Sequence, residues 1–156
     1  TSAQIVDTRK TTAGWRLLQK YAVRVGGGRN HRFGLYDGIL IKDNHIVAAG
    51  GIKSAIAVAK KTIPHTLKVE VEVKVLDQIS EALEAGADII LLDNMTNTDM
   101  KTAVARICGK ALTEASGGIT LDRVAGVAET GVNYISVGAL THSALPLDIS
   151  LDLEIL

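Results

Sequence analysis

Six short apolar runs punctuate the sequence: Gln4–Thr8, Gly38–Lys42, Leu67–Val73, Asp88–Asp93, Ala111–Ala115 and Tyr134–Val137. Each is rich in Val, Ile or Leu, which predicts strands buried on both faces. The segments between them follow a helical period. In LDQISEALEAGA, Leu76, Ile79, Leu83 and Gly86 stand at i, i+3, i+7 and i+10, with Gly86 placed to stop the helix. TLDRVAGVAETG repeats the pattern with Leu121, Val124 and Ala128, Thr120 as N-cap and Gly131 as stop. Met100, Val104, Ile107 and Cys108 mark another helical stripe, which predicts a buried Cys108. Strands of this kind alternating with helices predict a parallel sheet with right-handed crossovers.

The strands carry their polar residues at their C-terminal ends: Asp7-Thr8-Arg9-Lys10, Lys42-Asp43-Asn44, Glu72, Asp93-Asn94, Ser116-Gly117-Gly118 and Val137-Gly138. The last four recur at intervals of 21, 23 and 22 residues, the pitch of compact βα units. Such ends are where barrels and open α/β sheets build active sites. A complete barrel of this type has eight strands and only about six are found. The expected architecture is an open or incomplete (β/α) barrel occupying residues 1–156 as one domain.

Composition sharpens this reading. Apolar residues make up 47% of the 156 but aromatics only 3%, so the core must be aliphatic. Formal charge is zero, which argues against bulk attraction to nucleic acid or an anionic membrane. The zero hides an asymmetry: residues 1–42 carry +6 and the remainder −6. Cys108 is the only cysteine, so neither a disulfide nor a Cys-based zinc site can form within the chain. No apolar run approaches the ~20 residues of a membrane span, and a cytoplasmic protein is expected.

Candidate chemistry then sits at the strand ends. Arg9, Lys10, His31, Arg32 and Lys42 would form one basic rim if the first two strands are neighbours, a setting for a small, multiply charged anion. Arg16, Lys20 and Arg24, spaced by four, read as an exposed helix face. Glu70 and Glu72 project to one side of their strand, and Glu72 with Asp93 could hold Mg²⁺ or sugar hydroxyls, or form salt bridges to Lys42 or Lys10. Ser116-Gly117-Gly118 and Gly138-Ala139 follow strands and can present backbone N–H groups to a phosphate, or be plain turns. GGGRN at 26–30 follows a helix and lacks the Gly-Lys-Ser/Thr of a P-loop; it reads as a C-cap and loop. The four histidines show no metal-ligand spacing.

DTRKTTAGWRLLQKYAVRVGGGRNHRFGLYDGILIKDNHI resembles the signature region of the quinolinate phosphoribosyltransferases, and VEVEV, EAGADIILLDNM, EASGGI and YISVGALTHS resemble later blocks of that family in order. Ala13-Gly14-Trp15 departs from its usual Pro-Gly-Leu. The resemblance implies a type II phosphoribosyltransferase-like barrel that joins quinolinate to phosphoribosyl pyrophosphate with Mg²⁺, giving nicotinate mononucleotide, pyrophosphate and carbon dioxide. It implies that Arg9, Lys10, His31, Arg32 and Lys42, with Thr8 in the first turn, bind the quinolinate carboxylates and the pyrophosphate. Glu72 and Asp93 would bind ribose hydroxyls directly or through Mg²⁺. Ser116, Gly117, Gly118, Gly138 and Ala139 would hold the 5′-phosphate, near His142. Lys10, Lys42, Glu72 and Asp93 are the implied catalytic residues.

The family also implies a homodimer and an N-terminal domain ahead of this barrel, so the chain is expected to be a fragment or one part of a longer protein. In LPLDISLDLEIL, Leu147, Ile149, Leu151 and Leu153 alternate as a strand would. Two other readings stand beside this one: a barrel enzyme using Lys42 as a Schiff-base lysine, and a non-catalytic fragment that assembles with a partner.

Overall fold

A computed structural model describes residues 1–154. Its six strands are β1 (Gln4–Val6), β2 (Ile39–Ile41), β3 (Val69–Val73), β4 (Ile89–Asp93), β5 (Leu112–Ser116) and β6 (Tyr134–Ser136), each inside a run predicted from sequence or within a residue of it. All pair in parallel in the order β1-β6-β5-β4-β3-β2. The sheet is not closed: β1 and β2 are its two edges rather than neighbours. The segment Arg29–Gly38 spans the gap, starting with a parallel bridge between Arg29 and Val6.

Helices α1 (Arg16–Val25), α2 (Asp43–Ala49), α3 (Ile52–Thr62), α4 (Gln78–Glu84), α5 (Asn97–Ile107), α6 (Leu121–Ala128) and α7 (Ala139–His142) connect or follow the strands. From α2 to α6 each packs beside the next. Gly86 stops α4 as expected, with φ +80° and N–H groups of Gly86 and Ala87 returning to Leu83 and Ala82.

Strand alternation divides the sheet into two chemistries. One face carries Val69, Val71, Val73, Ile90, Leu92, Ala115 and Ile135 into the helices, where Ile56, Ile79, Met100 and Ile107 meet them, all essentially fully buried. This core is aliphatic, as the composition required. Each such side chain contributes about 1.5–3 kcal/mol by leaving water. The other face carries Glu72, Leu91, Glu114, Tyr134 and Gln4 in one register row. Above that row lie Asp93 and Ser116.

Three expectations fail for local reasons, and the strand expected over residues 147–153, its partner expected to be missing, has no strand partner among the described residues. Cys108 is exposed because α5 ends at Ile107 and Cys108 caps it in the left-handed conformation, φ +48°. Leu121 opens α6 and is 92% exposed, so the buried side of that helix is carried by Val127 instead. Residues 144–154 form neither helix nor strand, and Leu147, Ile149, Leu151 and Leu153 all face solvent. In α1, Lys20 is buried while Leu17, Leu18, Tyr21 and Val25 face outward, so only Arg24 fits the expected exposed basic face. No helix among the described residues is long and apolar enough to cross a membrane.

Candidate active site

The first turn after β1 is built by short bonds. Thr8 Oγ1 accepts from the N–H of Lys10 at 3.0 Å, and Thr141 Oγ1 donates to the Lys10 carbonyl at 2.7 Å, tying the turn to α7. Arg16 reaches over it: its Nη2 donates to Arg9 O (3.1 Å), its Nη1 to Phe33 O (3.2 Å) and its Nε to Thr11 Oγ1 (3.0 Å). Arg16 thus clasps the Arg9-Lys10 turn to the His31–Phe33 segment. Beneath them Asp7, fully buried, accepts from Lys20 Nζ, Asn30 Nδ2 and the His31 N–H. These bonds bring His31 and Arg32 beside Arg9 although β1 and β2 do not pair.

The charges of Arg9 and Arg32 act on one another. Burial lowers the pKa of Arg32, and the charge of Arg9 lowers it further. The Nε–H groups of Arg9 and Arg32 are both buried without an acceptor among the described residues. Arg32 donates from Nη1 to the Gly38 carbonyl at 2.9 Å, and its Nη2 makes no hydrogen bond among the described residues. Lys10 is exposed at the same rim.

His31 points inward. Its Nδ1 accepts the N–H of Arg32 at 2.7 Å, and Nε2 faces Oε2 of Glu70 at 3.2 Å and of Glu114 at 3.4 Å. Burial alone would lower the imidazole's pKa; hydrogen bonds and charge from Glu114 and Glu70 outweigh it and raise the value to about 10. Glu70 is raised too, by its burial first, with His31 opposing and the charge of Glu114 adding. The trio therefore holds a proton that separate groups would release near neutral pH. Since Nδ1 receives a backbone N–H, the ring carries its hydrogen on Nε2 and the extra proton is shared between Nε2 and the two carboxylates, so the raised value belongs to the trio and not to the imidazole alone. Such a histidine is a hydrogen-bond donor at Nε2, not a metal ligand, although the three side chains are close enough to hold a cation.

Lys42 follows β2 with Nζ 2.8 Å from Glu72 Oε2, so the salt-bridge alternative for Glu72 is realised in this structure. Its side chain is 52% exposed. That is the reverse of the desolvated, cation-flanked setting that makes a lysine nucleophilic, and it speaks against a Schiff base. Glu72 and Asp93 project on the same face of β3 and β4, offering hard oxygen donors of the kind Mg²⁺ takes two at a time when phosphates complete its shell.

The two small-residue turns stand at the ends of β5 and β6. Gly117 and Gly118 have φ +94° and +58°. Asn94, itself left-handed at φ +54°, donates its N–H to Ser116 O and lays its side chain so close to Gly117 that a Cβ there would fall 2.2 Å from its Oδ1. At Gly138 a Cβ would sit 2.9 Å from His142 Nε2 and 3.8 Å from Lys10 Cδ. Glycine there lets Gly138, His142 and Lys10 crowd one corner, with Ala139 opening α7.

Residues 1–152 match the family model described as the quinolinate phosphoribosyl transferase C-terminal domain. The chain belongs to this family. It is 52% identical over 152 residues to a probable nicotinate-nucleotide pyrophosphorylase (carboxylating) of Bacillus subtilis, covering 97% of this chain and 53% of that protein. It is 51% identical over 156 residues to the nicotinate-nucleotide pyrophosphorylase (carboxylating) of Mycobacterium leprae, covering 98% and 55%. The solved nicotinate-nucleotide pyrophosphorylase of Ehrlichia chaffeensis superposes with a TM-score of 0.94 at 44% identity, over 99% of this chain and 56% of that one. The chain thus spans about half the length of the relatives it matches. Membership agrees with the open six-stranded sheet.

Sequence reasoning missed Glu114, named Asp7 and Asn94 at strand ends without a role, and misread Arg16 and Lys20 as a solvated face. Asp7 and Lys20 carry no sign of their pairing because the partners stand 13 residues apart on different elements. Glu114 had a readable signal: it occupies an inward position two residues before Ser116, as Glu70 does before Glu72.

Proposed function

We propose that this chain carries the catalytic barrel of a phosphoribosyltransferase that joins quinolinate to phosphoribosyl pyrophosphate. Nicotinate mononucleotide, pyrophosphate and carbon dioxide are the products. The observation that carries the reading is the pairing of Arg9 with Arg32, whose buried Nε–H groups lack acceptors. Two adjacent cations with unused donors suit a small dianion.

In this reading Arg9 and Arg32 receive the quinolinate carboxylates, His31 forms the inner wall, and Lys10 and Lys42 face the pyrophosphate. Ser116, Gly117 and Gly118, with Gly138, Ala139 and His142, take the 5′-phosphate. Glu72 and Asp93 hold the ribose hydroxyls and Mg²⁺, which when bound neutralises charge on the departing pyrophosphate. The ring nitrogen displaces pyrophosphate at the sugar carbon, and Glu72 and Asp93 stabilise the positive charge that grows there. The carboxylate beside the cationic nitrogen then leaves as carbon dioxide, its electron pair stays on the ring carbon, and a proton takes its place. Most of the rate enhancement would come from positioning and fixed charge.

A homodimer in the cytoplasm is part of the same proposal. The outward Leu17, Leu18, Tyr21 and Val25 of α1 favour a covering partner.

Calorimetric titration with quinolinate, against nicotinate as control, tests the reading. The dicarboxylate should bind at least about tenfold more tightly, equivalent to ~1.4 kcal/mol. Equal or absent binding by a folded protein overturns it.

A further inference from the structure

We infer that Glu70 and Glu114 are positioning residues that set Arg32 for the dicarboxylate, acting through His31. The inference rests on the site reading above. Between the Arg29 bridge and β2 the chain has neither helix nor strand, so its conformation is set by side chains. Asp7 holds the outer side of this segment through Asn30 and the His31 N–H. Arg16 and Lys20 hold the carbonyls of Phe33 and His31, and the His31 ring ties the segment to β3 and β5.

One path of bonds leads from the carboxylates to Arg32. Glu70 and Glu114 project from β3 and β5 and converge on Nε2. The ring's other nitrogen receives the Arg32 N–H. Rotating the ring away from either carboxylate therefore moves the acceptor on which the Arg32 backbone rests. Both carboxylates are buried, each leaving Oε1 without a partner among the described residues. Two acids beneath a pocket for a dianion oppose binding by their charge, and burying them is unfavourable to folding. A geometric role accounts for their presence where an electrostatic one does not.

The test is steady-state kinetics of the purified enzyme with each substrate varied. Glu70→Leu and Glu114→Leu keep the volume and remove the acceptors. Each should raise the quinolinate KM about tenfold or more while leaving that for phosphoribosyl pyrophosphate within about twofold. Glu70→Gln and Glu114→Gln, which retain an acceptor, should recover most of the loss. In a His31→Ala background the leucine changes should add nothing, because their path is already cut.

Unchanged quinolinate KM in folded leucine variants overturns the inference. So do equal effects on both substrates, full additivity with His31→Ala, or tighter quinolinate binding by the glutamine variants. Should a leucine variant not fold, nitrogen-15 spectra of the wild-type histidine decide: Nδ1 is expected unprotonated, and a protonated Nδ1 removes the link to Arg32. A wild-type protein that does not turn over quinolinate would instead defeat the functional proposal, which separates the two failures.

Discussion

Lys20 Nζ lies 2.5 Å from Asp7 Oδ1, with both side chains almost wholly buried where α1 meets the end of β1. The same carboxylate anchors Asn30 and the His31 N–H, so one ion pair supports the segment that delivers Arg32. Lys20→Met should destabilise the fold by about 3 kcal/mol, because it leaves a buried carboxylate without its counter-charge. Adding Asp7→Asn should restore part of that, since Asn keeps an acceptor for His31. Denaturant unfolding of the single and double variants measures both.

Lys10 is exposed and its side chain makes no hydrogen bond or salt bridge among the described residues. Lys10→Ala should leave unfolding free energy within about 0.5 kcal/mol. Turnover should fall by about a hundredfold or more if Lys10 meets the departing pyrophosphate. Near-normal kcat in the folded variant would remove Lys10 from the site.

Gly117 combines φ +94° with the side chain of Asn94 pressed against its Cα. Gly117→Ala should cost about 1–3 kcal/mol of stability and weaken phosphoribosyl pyrophosphate binding more than quinolinate binding. Adding Asn94→Ala should relieve the clash but leave the backbone strain, so recovery should be partial. Thermal melting and calorimetry of the pair report the two contributions separately.

The trio of His31, Glu70 and Glu114 makes stability depend on pH. The proton that the trio shares is held up to about pH 10, above the ordinary 6.5 of a free imidazole. The associated stability is fully present below about pH 6.5 and is lost as pH rises through about 10. The charge of Arg32 acts on Glu70 and limits the effect, so a loss on the order of 2–4 kcal/mol is expected across that window. Unfolding free energies between pH 6.5 and 10 should fall in the wild-type protein and fall less in His31→Phe. Parallel slopes would place the retained proton elsewhere.

Much of this was legible in the sequence. A two-sided buried strand demands an unbroken apolar run, so all six strands stood out. Their polar ends named the groups that the fold collects at one mouth. The illegible parts depend on residues distant in sequence. Arg16 and Lys20 share the spacing of a solvated helix face, and only the placement of Arg9, Phe33 and Asp7 against that helix shows otherwise. Cys108 and Leu121 were misjudged at helix ends, where one residue of boundary decides whether a side chain faces the core. The basic rim was expected from neighbouring strands; β1 and β2 are instead the two sheet edges, and Arg29–Gly38 crosses between them, with Arg32 bonded to the Gly38 carbonyl.

That crossing has a mechanical consequence. Around the rest of the ring, continuous backbone ladders resist widening, but between β1 and β2 the barrel is held by one bridge and by side chains. Compliance is concentrated along a single line. Widening along it would break no pairing between strands, so any force that opens this sheet is met there by side-chain bonds alone and by the single Val6–Arg29 bridge.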